Sequence, residues 1–323
     1  MSFKEITNSI NKDLDKFENL LQDIANDSDI AVSGILDYIF EAKGKRVRPI
    51  LVYLTNRLFS EPNQSTHHAA VLVELMHTAT LLHDDVVDKA ALRRGKTTVN
   101  NKWDDKTAVL TGDYLFAKAM KLATDNDEYK LFDIITPAIM RLSLGELQQM
   151  NKSKSFDISK NRYFEVIKNK TASLISVCCK SGAYTGGADE RQIALLEEFG
   201  ELLGMIFQIK DDILDYNGSE KTGKLTGIDI LENKITLPVI CTWKNMCVLE
   251  QRDFKELWLT EPKDQELVDG IIKTVIFNKG ISGSYAVIDD LKKKELQLLA
   301  ELPDSKAKAA LIKLLDYIID RDK

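Results

Sequence analysis

Two short acidic strings, Asp84-Asp85-Val86-Val87-Asp88 and Asp211-Asp212-Ile213-Leu214-Asp215, share the pattern D-D-x-x-D, and each closes an apolar run. On a helix, residues four apart lie on one face, so Asp84 projects with Asp88 and Asp211 with Asp215. Carboxylates held that close repel, and burial without compensation raises their pKa or destabilises the fold. A cation is the natural relief. The pentads offer oxygen donors and no His or Cys, which suits a hard ion, and Mg²⁺ characteristically combines a few carboxylates with substrate phosphate oxygens. One such string alone reads equally well as a solvated acidic helix end. Two of them, each set in an apolar run, argue for metal chemistry.

Diphosphate held by a metal needs basic partners as well. They stand beside the acidic strings: Lys45, Arg46 and Arg48 in 44–49, then Arg93 and Arg94 just after the first pentad. Lys168 and Lys170 follow, and Lys224 stands just after the second pentad. Any one of these reads as ordinary solvated surface; their placement beside both pentads is the signal.

The elements that must position these residues are helices. From His67 to Asp88 the apolar stripe runs Val71, Leu72, Leu75, Met76, Ala79, Leu82 and Val86, at helical spacing. From Arg191 to Tyr216 apolar residues cover most faces, which predicts a buried central helix. No long segment alternates as a strand would. Breakers cluster near 60–64, 125–127, 151–157, 217–227 and 260–262, and none of these is a linker. With only 6 Pro and 16 Gly in 323 residues and 44% hydrophobic content, the chain is expected to form one all-α domain over 1–323.

Net charge of −6 and the absence of a clustered basic face exclude nucleic acid as the main partner. Cys178, Cys179, Cys241 and Cys247 fit no zinc spacing and read as reduced thiols of a cytosolic protein. No apolar run is long enough to span a bilayer, and Met1–Glu5 opens a charged amphipathic helix unlike a signal peptide. The expectation is a soluble, cytoplasmic protein without a membrane anchor.

Ordered along the chain are G-K-R-V-R-P (44–49), E-L-M-H-T-A-T-L-L-H-D-D-V-V-D (74–88), L-R-R-G-K-T-T (92–98) and T-G-D-Y-L-F-A (111–117). Then come G-E-L-Q-Q (145–149), K-T-A-S-L (170–174), G-M-I-F-Q-I-K-D-D-I-L-D-Y (204–216) and G-K-L-T-G-I-D-I-L-E-N-K-I-T-L-P-V-I (223–240). In these motifs the sequence resembles the trans-isoprenyl diphosphate synthases. That resemblance implies an isoprenoid synthase-like helical bundle around a central cavity, a homodimer, and Mg²⁺-dependent addition of isopentenyl diphosphate to an allylic diphosphate. It implies about three Mg²⁺ ions, held by Asp84, Asp85 and Asp88 and by Asp211 with Asp212 and Asp215. Arg93, Lys170, Thr171, Gln208, Lys224 and Lys234 would contact the allylic substrate, with Thr171 and Gln208 steadying the cation. Lys45, Arg48, His77 and Arg94 would cradle isopentenyl diphosphate. The stretch 217–227 reads as a lid or a plain surface loop. Two positions depart from the family pattern: Lys43 and Asn233 stand where glycine is common.

Product length follows the same resemblance. Met76, Ala79 and Thr80 lie one to two turns before Asp84, where short-chain members often carry an aromatic side chain. Small residues at Ala79 and Thr80 leave the tail room, favouring a hepta- or octaprenyl product of the kind used for quinone side chains; Met76 serves as floor or wall. A farnesyl or geranylgeranyl synthase is the shorter-chain alternative, and a catalytic subunit requiring a partner is another. Terpene cyclases and head-to-head synthases usually lack one of these motifs. A Ca²⁺ loop would need alternating oxygen ligands and a central glycine, absent here.

Overall fold

A computed structural model of the chain describes residues 3–42, 44–93, 95–150, 156–216 and 226–322, with backbone only for 148–150. Its described residues are overwhelmingly α-helical, as the apolar periodicity predicted. The first helices are α1 (Phe3–Thr7), α2 (Asn11–Asn26), α3 (Ile30–Glu41), α4 (Val47–Asn56) and α5 (Gln64–Val87). A two-residue hairpin, β1 (Leu92–Arg93) and β2 (Lys96–Thr97), precedes α6 (Val99–Lys102), α7 (Asp105–Asp125) and α8 (Tyr129–Met150). Then follow α9 (Lys160–Ile167), a π-helical turn at Lys168–Ala172, α10 (Ser173–Thr185) and α11 (Glu190–Tyr216). The chain ends through α12 (Ile228–Leu231), α13 (Leu237–Asn245), α14 (Val248–Leu259), α15 (Gln265–Phe277), α16 (Gly280–Ala300) and α17 (Lys306–Asp320).

The breaker clusters near 60–64, 125–127 and 260–262 fall between helices, as read. Asn63 starts α5 with a capping box: its side chain accepts from the Thr66 N–H at 2.9 Å, and Thr66 Oγ1 accepts from the Asn63 N–H at 3.2 Å. Asp264 caps α15 by accepting from the Leu267 N–H at 2.9 Å. The stretch 217–225, which includes Lys224 and most of the lid reading, lies outside the described residues, as do Lys43 and Arg94.

The chain divides into two compact units, neither of them continuous in sequence. One comprises Met1–Ile139, Leu174–Glu198 and Leu302–Leu311; the other comprises Met140–Ser173, Phe199–Glu301 and Ile312–Lys323. In the first, α5 packs against α7, α4, α2 and α6, and nearly every residue from Thr66 to His77 is buried. That explains why its stripe spreads beyond one face. The second is built on α13 packed against α16 and α15, around Tyr216, Ile230, Val239, Phe254 and Trp258.

Candidate active site

The first pentad forms the last turn of α5 and its C-cap. Asp84 is half-buried, Asp88 is exposed, and Asp85 is 3% exposed. This follows from helix geometry, because Asp85 points about 100° away from the face that Asp84 and Asp88 share. Burial pushes the Asp85 carboxyl up, and Arg93 opposes the shift. Arg93 Nε donates to Asp85 Oδ1 at 2.7 Å. The hairpin presents Arg93 there: Gly95 takes φ 77° in its turn, and Leu92 pairs with Thr97. The backbone around it is tied down in turn. Ala90 N–H and Asn100 Nδ2 donate to the Asp85 carbonyl at 2.9 and 3.3 Å, and Tyr38 Oη donates to the Thr97 carbonyl at 2.7 Å. Next to Asp84, His83 Nε2 donates to the Val109 carbonyl of α7 at 3.1 Å. Only glycine allows that approach, since a Cβ at Gly112 would stand 2.3 Å from the ring nitrogen.

A narrow cavity of 80 Å³ opens beside this turn, walled by His77, Asp85, Arg93, Arg46, Glu74 and Tyr38 among others. Arg46, in the left-handed region at φ 51°, donates to Glu74 at 2.7 Å and Glu18 at 2.8 Å. Its charge is thereby committed to holding the 44–49 segment. Lys45 is exposed on that segment, and Arg48 is half-buried in the first turn of α4. Met76, Ala79 and Thr80 are buried; they are not among the cavity's lining residues. Ala79 and Met76 stand one and two turns before His83, on the side that faces α7.

The second pentad repeats the burial pattern with other partners. Asp211 and Asp215 are half-buried and Asp212 is 3% exposed. Tyr163 Oη donates to Asp212 Oδ2 at 2.5 Å, and Gln208 Nε2 donates to Asp212 Oδ1 at 2.9 Å. Burial pushes the Asp212 carboxyl up to about 7 against these two hydrogen bonds. Asp215 receives the N–H groups of Ile228 and Asp229 at 3.1 and 3.0 Å, and so anchors the start of α12. Burial nevertheless raises its pKa. Asp229, delivered by that turn, is pushed up to about 6 by burial and by Asp215. Asp211 accepts from Arg321 Nη2 at 2.7 Å, with the guanidinium 4.0 Å above the Phe207 ring.

A cavity of 700 Å³ adjoins these groups; Lys170, Thr171, Gln208, Asp212, Asp229 and Lys234 are among its lining residues. The π-turn Lys168–Ala172 aims Lys170 and Thr171; such turns recur at functional sites. It lies against α11 so closely that a Cβ on Gly204 would stand 2.4 Å from Ala172 Cα. Thr171 Oγ1 donates to Gln208 Oε1 at 2.8 Å, Lys170 pairs with Glu146 at 2.5 Å, and Lys234 pairs with Glu232. Asn233 occupies its family-glycine position at φ 58°, a conformation asparagine tolerates. Its amide is fixed by Glu261 at 2.7 Å and Lys263 at 2.6 Å.

The donor set fits a hard divalent cation. It is all oxygen, and burial has raised several of its pKa values, which a cation would reverse. Among the described residues no three carboxylate, histidine or cysteine side chains converge on one point. Sequence reasoning missed Tyr163, Glu146, Arg321 and the role of Asp229. Asp229 was visible inside the 223–240 motif; nothing in the sequence pattern marks Tyr163 or Arg321.

Comparison with known proteins agrees with this geometry. Residues 30–275 match the polyprenyl synthetase family model. The chain is 35% identical over 319 residues to heptaprenyl diphosphate synthase component 2 of Bacillus subtilis (strain 168), covering 98% of this chain and 90% of the relative. The crystal structure of a decaprenyl diphosphate synthase from Rhodobacter capsulatus superposes with a TM-score of 0.91 at 33% identity, over 100% of both chains. A polyprenyl synthase from Caulobacter crescentus CB15, solved with calcium and isoprenyl diphosphate, gives 0.90 at 31% identity, over 100% of this chain and 98% of that one.

Proposed function

The chain belongs to the polyprenyl synthetase family and is a prenyltransferase; from that premise we propose that it performs Mg²⁺-dependent, successive 1'-4 condensation of isopentenyl diphosphate onto a farnesyl or geranyl diphosphate primer. One observation carries the reading. Lys170, Lys234, Thr171 and Gln208 line the same 700 Å³ cavity as the carboxylates Asp212 and Asp229. The two ammonium groups suit a diphosphate. The Caulobacter crescentus polyprenyl synthase was solved with isoprenyl diphosphate and a divalent ion, which supports the same ligand classes here.

In this reading Asp84 and Asp88, and on the other turn Asp211, are the outward carboxylates that would hold the ions. When bound, the ions supply charge neutralisation to the departing diphosphate. The ammonium groups of Lys170 and Lys234, now paired with Glu146 and Glu232, transfer to the diphosphate oxygens. The family resemblance assigns Lys224 and Arg93 to the allylic substrate as well, and Lys45, Arg48, His77 and Arg94 to isopentenyl diphosphate. The hydroxyl of Thr171 and the carbonyl of Gln208 offer electron-rich oxygens to the allylic cation. The double bond of isopentenyl diphosphate attacks that cation, and the departing diphosphate takes the proton. Water exclusion preserves the cation until attack.

Ala79 and Thr80 support a medium- or long-chain product, and relatives named for hepta- to decaprenyl products support that range. A homodimer is supported by the exposed stripe Met140, Leu144 and Leu147 on α8. The Bacillus subtilis relative is named a component, which favours a second reading: a catalytic subunit requiring a partner chain. No helix among the described residues is long and apolar enough to cross a membrane.

Purified chain alone, given Mg²⁺, farnesyl diphosphate and labelled isopentenyl diphosphate, tests the proposal by product length. A discrete long product supports a self-sufficient synthase, and Ala79→Phe then shortens it. A farnesyl or geranylgeranyl end product overturns the length assignment alone. No elongation favours the partner-dependent reading.

A further inference from the structure

Four side chains from three segments of the second unit form one hydrogen-bonded line: Tyr163 on α9, Asp212 and Gln208 on α11, and Thr171 in the π-turn. Its links are Tyr163 Oη to Asp212 Oδ2 at 2.5 Å, Gln208 Nε2 to Asp212 Oδ1 at 2.9 Å, and Thr171 Oγ1 to Gln208 Oε1 at 2.8 Å. We propose that Tyr163 and Asp212 are positioning residues of the prenyl transfer, which lock the Gln208 amide in one orientation so that its carbonyl oxygen meets Thr171 in the cavity.

The logic is one of donor and acceptor. A glutamine amide carries an acceptor at one end and two donors at the other, and rotation by half a turn exchanges them. A carboxylate only accepts, so Asp212 selects the NH₂ end and turns Oε1 toward Thr171. Tyr163 occupies the second carboxylate oxygen, which keeps Asp212 from rotating. Asp212, Gln208 and Tyr163 all border the 700 Å³ cavity, yet both Asp212 oxygens are engaged by protein donors. Reversing the amide would place an N–H dipole where the allylic cation needs an oxygen, turning attraction into repulsion. The same geometry gives Asp212 an orienting role in place of the metal contact expected from the pentad pattern.

The inference rests on the prenyl-transfer reading, so wild-type elongation is the control that separates the two. If the wild-type chain, alone and together with its partner chain, transfers no prenyl group in the presence of substrates and Mg²⁺, the reading itself fails. Given an active wild type, Tyr163→Phe and Asp212→Asn are compared with Asp211→Asn. The expected result for the first two is a kcat loss of about 10- to 100-fold, the scale on which small misplacements act. Both KM values and the half-saturating Mg²⁺ stay within about 3-fold, and calorimetric Mn²⁺ affinity matches wild type. Asp211→Asn should instead raise the Mg²⁺ requirement. The double variant Tyr163→Phe/Asp212→Asn should lose little beyond the worse single one, because both act through Gln208. An Asp212→Asn protein that mirrors Asp211→Asn in Mn²⁺ binding overturns the proposal, as does a Tyr163→Phe protein with wild-type kcat. Thermal melts of each variant identify any that merely unfold, and Tyr163→Phe, which removes one oxygen only, is the variant least exposed to that outcome.

Discussion

The two aspartate pentads are the same five-letter pattern in two settings. In both, the second aspartate is buried at 3% exposure while its neighbours stay half-buried or exposed. The partners differ. Asp85 is held by Arg93, eight residues on, inside a contiguous stretch that includes Ala90 and Asn100. Asp212 is held by Tyr163, 49 residues upstream, and Asp211 by Arg321, 110 residues downstream. The cations also fall differently. In the first pentad the guanidinium sits on the buried aspartate and leaves Asp84 and Asp88 at the outer face; in the second it sits on the outward aspartate itself. The helix dictates which aspartate is buried, and the surroundings dictate what it does there.

Activity is the most severe way to break this comparison. Asp84→Asn and Asp211→Asn should each lower kcat by about 10²- to 10³-fold, the usual cost of losing one electrostatic contact to a reacting centre. Both should keep a near wild-type melting temperature, because each aspartate is only half-buried and its amide can be solvated. A melt that collapses with either change would mean that the outward carboxylates are structural.

Stability should separate the turns next. Arg93→Ala leaves Asp85 buried without its cation and should cost about 1–3 kcal/mol in a denaturant titration. Arg321→Gln leaves behind a half-exposed aspartate that water can still reach, and should cost less than Arg93→Ala. It should also lower the half-saturating Mg²⁺ severalfold, since the competing guanidinium is gone. Equal stability losses, or an unchanged Mg²⁺ requirement, would erase the distinction.

Glu295 of α16 sharpens the comparison from outside. It is fully buried like Asp85 and Asp212, but neither of its oxygens has a hydrogen-bond partner among the described residues. Burial pushes its carboxyl well up, with Lys292 opposing. A carboxyl whose folded-state pKa is raised binds its proton more tightly when folded, so stability falls as pH rises above the ordinary carboxylate value. Glu295→Met should therefore stabilise the protein by about 1 kcal/mol at pH ~8, with a smaller gain at pH ~5. Melts at both pH values decide it, and a loss at pH ~8 would show that Glu295 has a partner.

Much of this was readable before any fold was known. The stripes over 67–88 and 191–216 mark α5 and α11 because burial of a helix face demands that spacing. The pairing of first and fifth aspartates on one face is likewise arithmetic on 3.6 residues per turn. Asn63, in the 60–64 cluster, marks a helix start because its side chain competes for backbone N–H groups. Asn233 departed from the family's glycine without disturbing the turn, because asparagine also tolerates a positive φ.

Tertiary structure alone decided what each carboxylate is bonded to. Sequence gives Asp212 and Asp215 the same standing as Asp211, yet one is engaged by Tyr163 and Gln208 and the other by two backbone N–H groups. It also decided that Arg46 is spent on Glu18 and Glu74, that Asp229 joins the acidic cluster, and that the π-turn aims Lys170 and Thr171. The physical reason is range. Periodicity and capping are local and act within a turn or two of chain. A hydrogen bond forms wherever packing brings a donor to an acceptor, and no pattern in the intervening residues records that meeting.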